Sequence, residues 1–70
     1  MSERDVDIIL ALADNQMKPS RVGRELFLHR NTVMYHIEKI KSITGLDPTD
    51  FYDLCKLLQM VEGVRKDGDS

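Results

Sequence analysis

Residues 19–45 read PSRVGRELFLHRNTVMYHIEKIKSITG. This stretch predicts two short helices joined by a few residues. The first runs from Ser20 to Phe27, with Ser20 as N-cap, because a serine hydroxyl accepts from an orphan N–H of the first turn. The second begins near Arg30, covers about 30–43 and stops before Gly45, since glycine tolerates the left-handed conformation that ends helices. Helices joined by so short a turn must cross, which is the geometry of a helix-turn-helix. Gly23 falls where the two backbones approach most closely. Val33, Ile37 and Ile40 recur at helical spacing and give the second helix one apolar seam.

Beside that seam lie Asn31, Thr32, Tyr35, Glu38 and Lys39, preceded by Arg30. A merely solvated face is usually rich in Glu and Lys. Arg-Asn-Thr followed by Tyr instead supplies groups that reach base edges and phosphates.

The run Leu28-His29-Arg30-Asn31-Thr32-Val33-Met34-Tyr35, continued by Thr44-Gly45-Leu46-Asp47-Pro48, resembles the C-terminal helix-turn-helix domain of the PucR family, bacterial regulators of purine and sugar-acid catabolism. The resemblance covers roughly residues 20 to 61. It implies an all-α DNA-binding regulator. His36 stands where that family more often carries Arg, and the sensor region that precedes the domain in that family has no counterpart in these seventy residues. The expectation is therefore a stand-alone domain.

Outward from the motif, Ser2 and Asp5 form a capping pair that opens a first helix. Val6, Ile9, Leu10, Ala13 and Met17 mark its expected core face, and it fades over Asn15 to Lys18 before Pro19. A fourth helix is predicted from Asp47 as N-cap, with Pro48 at its first position. Phe51, Leu54, Cys55, Leu57, Leu58, Val61 and Val64 give it an apolar arc wider than the ~100° one core requires. The surplus is either extra core around Ile8 and Leu12 or a self-complementary patch. The chain thus reads as a four-helix domain over 1–66 with a disordered tail at 67–70. No strand-period alternation points to a wing.

Net charge is −2, unusual for a nucleic-acid reader. Its distribution is more telling. Residues 1–17 carry Arg4 against Glu3, Asp5, Asp7 and Asp14, a balance of −3. Residues 18–41 carry Lys18, Arg21, Arg24, Arg30, Lys39 and Lys41 against Glu25 and Glu38, a balance of +4, and residues 42–70 return to −3. Positive charge is concentrated on the helix-turn-helix. The single cysteine, Cys55, excludes an internal disulfide and fits a cytoplasmic protein. No apolar run approaches the ~18 residues of a membrane span and no export signal is visible.

Other constellations carry less. His29 and His36, with one distant cysteine, do not make the clustered set that zinc requires, so no metal and no cofactor is expected. Asp47, Asp50 and Asp53 sit where helix capping explains them. No Gly-rich phosphate loop or nucleophile–base pair suggests an enzyme, nor does any feature suggest a small-molecule effector site.

The sequence therefore predicts a transcriptional regulator that binds double-stranded DNA. Arg30, Asn31, Thr32 and Tyr35 would face the major groove, with Asn31 suited to adenine and Arg30 to guanine or phosphate. Ser20, Arg21, Arg24 and Lys39 would hold the backbone, and Leu54, Leu57, Leu58, Val61 and Val64 would join two copies as a homodimer. The rival is a protein-interaction module built on the same scaffold, binding through the apolar face of the fourth helix.

Overall fold

The computed structural model describes residues 1–69, and side chains for residues 1–62 of them. The expectations placed on Val64 and on the tail at 67–70 fall outside the latter. Four helices follow in order: α1 (Glu3–Asp14), α2 (Pro19–Leu26), α3 (Arg30–Thr44) and α4 (Phe51–Asp69). No strand occurs among the described residues.

Helix α1 is the hub, touching α2, α3 and α4. It begins at a reciprocal cap. The Asp5 N–H donates to Ser2 Oγ at 3.2 Å, and the Ser2 N–H donates to Asp5 Oδ2 at 3.1 Å. The predicted core face of α1 needs correction. Ile8, Ile9, Ala11 and Leu12 are buried; Val6, Leu10 and Met17 only flank the core, and Ala13 is exposed. A helix covered from three sides buries residues at adjacent positions, which a single-stripe reading misses.

Helix α2 starts one residue earlier than predicted. Pro19 takes its first position, where a missing N–H costs nothing, and Lys18 is the N-cap without a side-chain cap bond. Ser20 is therefore an exposed residue inside the helix and not its cap. Helix α4 starts later than predicted. The Asp47 carboxylate accepts from the Thr49 N–H at 2.9 Å and from its hydroxyl at 2.6 Å, which closes a turn. Those two bonds hold the Asp47 carboxyl below its ordinary range. The capping role passes to Asp50, whose Oδ2 accepts from the Asp53 N–H at 3.1 Å.

The core joins Ile8, Ile9 and Leu12 of α1, Val22 of α2, Val33, Ile37 and Ile40 of α3, and Leu54, Leu57 and Val61 of α4. The wide arc of α4 is thus largely spent within the chain. Leu54, Leu57 and Val61, assigned from sequence to a dimer contact, are buried in this core, and Leu58 packs partly against it.

Gly23 lies buried at the α2–α3 crossing. A Cβ placed on it would meet the Leu28 carbonyl oxygen at 2.7 Å. That oxygen is backbone and cannot swing aside. Gly23→Ala would regain about 1 kcal/mol of helix propensity, yet overpacking of this kind costs about 1–3 kcal/mol and displaces the turn. The expected result is a net destabilised domain, read as a lower urea midpoint at unchanged m-value.

Candidate nucleic-acid interface

The turn between α2 and α3 determines how the first residues of α3 are presented. Phe27 ends α2 in the left-handed region, at φ 57° and ψ 44°, a conformation uncommon for a bulky residue. The Leu28 N–H then donates to the Gly23 carbonyl at 2.8 Å. Phe27 is 94% exposed, because the left-handed cap turns its side chain away from the protein, while Leu28 packs inward.

His29 caps α3. Its Nδ1 accepts from the Asn31 N–H at 3.0 Å. An amide can only donate, so this nitrogen carries the lone pair and the ring proton sits on Nε2. The bond fixes the turn from which Arg30, Asn31 and Thr32 project, all three exposed. The sequence does not announce this cap, since histidine is not among the usual N-cap residues. Tyr35 stands one turn further on, 64% exposed. On the opposite side Val33, Ile37 and Ile40 are buried, so α3 presents one apolar and one polar side as expected.

Of the predicted backbone-binding residues, Ser20, Arg21 and Arg24 are exposed on α2. Arg21 and Arg24 line an open surface cleft with Asn15 and Glu25, and the Asn15 side-chain amide donates to Glu25 Oε2 at 3.2 Å. Lys39 is placed differently. Its Nζ lies 3.3 Å from Asp5 Oδ2, which occupies the cation at α1. Lys41 lies 3.7 Å from Glu38. Among the described residues, Lys18, Arg21, Arg24 and Arg30 make no ion pair and supply the unneutralised positive charge of this side.

Asp5 is the residue that sequence reading undervalued. Beyond its capping role it is fully buried, and its Oδ1 lies 2.7 Å from His36 Nδ1. Only the Ser-x-x-Asp spacing was visible in the sequence; a partner 31 positions away leaves no local signal. Burial alone would raise the Asp5 carboxyl. Bonds from His36, Ser2 and Lys39 outweigh it and lower the value from 3.8 to about 2. A depressed carboxyl stabilises the fold fully above its unfolded value and ceases to do so as pH falls through the folded one. At about 1.4 kcal/mol per pH unit, Asp5 contributes about 2 kcal/mol that should disappear between pH 4 and 2. Urea unfolding across that window should show this loss in the wild type and a smaller one in Asp5→Asn.

No helix is long and apolar enough to cross a membrane, and no metal-ligating cluster is present, among the described residues. No solved structure matches the chain. The proline-responsive transcriptional activator PutR of Bacillus subtilis (strain 168) is 37% identical over 43 residues, which are 61% of this chain and 10% of that protein. The chain therefore spans about a tenth of that relative's length. The family model of the PucR C-terminal helix-turn-helix domain matches residues 6–61, the stretch that holds most of α1, the crossing helices and the first part of α4. The chain belongs to the family of PucR C-terminal helix-turn-helix domains.

Proposed function

We propose that this domain is a cytoplasmic, sequence-specific DNA-binding transcriptional regulator that reads the major groove through the first half of α3. One observation carries the reading: Arg30, Asn31, Thr32 and Tyr35 are exposed together opposite the buried seam of Val33, Ile37 and Ile40. Asn31 would pair bidentately with adenine and Arg30 with guanine or a phosphate. Ser20, Arg21 and Arg24 would fix the register on the backbone. Lys39 is reassigned from phosphate contact to holding Asp5. With few cations free, log K against log salt should have a shallow slope, near −0.9 per phosphate contacted, and Arg21→Ala should make it shallower by ~1. Selection of bound duplexes from a random pool tests the reading itself. A shared motif among the selected sequences is the expected result; a pool that never converges contradicts it.

One recognition helix covers too few base pairs to single out a genomic site, so the reading includes a homodimer. With Leu54, Leu57 and Val61 buried, the surface proposed for it moves to the exposed side of α4. There Phe51, Cys55 and Leu58 border an apolar groove with Ala13 and Met17. Two-fold pairing predicts a pseudo-palindromic operator with half-sites ~34–36 Å apart or a multiple of that. The same surface favours a second reading, in which α4 binds a different protein: Phe51 is 59% and Tyr52 76% exposed. In that case the chain would show no salt-dependent DNA binding.

A further inference from the structure

The outer residues of α3 are not all free. Each oxygen of the buried Asp5 carboxylate has its own partners: Oδ1 meets His36 Nδ1, while Oδ2 meets the Ser2 N–H and the Lys39 ammonium. A carboxylate only accepts, so His36 Nδ1 carries the proton. Lys39 supplies a cation that balances the carboxylate charge. The His36 side chain is 14% exposed, and one ring nitrogen is held by α1.

Tyr35 leans on that fixed ring. The two ring centroids are 5.2 Å apart with planes at 78°, an edge-to-face contact. Among the described residues no other aromatic ring meets Tyr35. An exposed tyrosine has few restraints on its rotamer, and one such contact shifts the rotamer balance roughly 2- to 12-fold.

We propose that Asp5 is a positioning residue for Tyr35, acting through the clamped ring of His36, so that readout by α3 depends on a side chain of α1 that does not touch the DNA. The proposal rests on the DNA-reading function above. It deepens that reading by making the capped start of α1 part of the reader. Asp5 lies just outside the stretch matched by the family model.

His36→Phe separates the ring from its tether: it keeps an aromatic face beside Tyr35 and removes the bond to Asp5, while Lys39 and Ser2 still satisfy the carboxylate. Affinity for a selected duplex should fall roughly 2- to 12-fold in His36→Phe. In a Tyr35→Ala background the same change should cost nothing, because the residue being positioned is gone. Unchanged affinity in the single variant, or an equal loss in both backgrounds, overturns the proposal. NMR of the wild-type chain without DNA gives a readout that does not depend on the variant folding. Tyr35 should occupy one χ1 rotamer with contacts to the His36 ring, and rotamer averaging there overturns the relay even if DNA binds. A fixed Tyr35 in a chain that selects no duplex refutes the DNA reading instead, and the readout role with it.

Discussion

Leu57→Glu is expected to unfold the domain. Leu57 is fully buried between α4 and the hub helix, where truncation of a leucine alone costs about 2–5 kcal/mol. A carboxylate there adds several kcal/mol more, since it would sit in a core cluster of apolar side chains. A chain of 70 residues has a total stability of only about 4–10 kcal/mol. Circular dichroism should show lost helicity at neutral pH, partly recovered in acid as the new carboxyl protonates. Leu58→Glu is the informative contrast. Its side chain borders the open groove, so the variant should stay folded and sediment as a monomer at micromolar concentration, where the wild type is expected to sediment as a dimer. A folded Leu57→Glu would mean that α4 is not packed as described.

Asn31→Ala should weaken binding to the preferred duplex by about 1–3 kcal/mol, roughly 5- to 150-fold, and leave binding to mixed DNA nearly unchanged. The side chain is exposed, and the His29 cap uses only the Asn31 backbone N–H, so the fold should be unaffected. Filter binding or fluorescence anisotropy on both duplexes checks it. Equal losses on the two would make Asn31 a phosphate contact, and adenine readout would have to come from elsewhere.

The fold was legible where the physics is local. The Ser2–Asp5 cap, the α3 seam and the left-handed Gly45 each depend on residues within a few positions, and each appears as predicted. The errors arose where tertiary partners decide the outcome. The surplus apolar arc of α4 could not be divided between core and surface without knowing that α1 sits at the centre. Large apolar residues usually point inward, and at Phe27 a left-handed cap overrides that preference. Pro19 displaced Ser20 from the cap by taking the first helical position itself.

The polar face of α3 was legible in the same local way, from periodicity and residue type. The tether beneath it was not. Lys39 looks from sequence like a residue of the DNA-facing side, yet both it and His36 are turned toward Asp5. A buried carboxylate at the start of α1 chooses its partners by how α1 crosses α3, which no spacing rule encodes.

The most direct test of the central claim is chemical-shift mapping of the isotope-labelled chain as a selected duplex is added. The largest amide shifts are expected on residues 29–35, with a second group on 18–24, while the α4 amides at 51–60 move little. Shifts concentrated on 51–60 with 29–35 silent would contradict it.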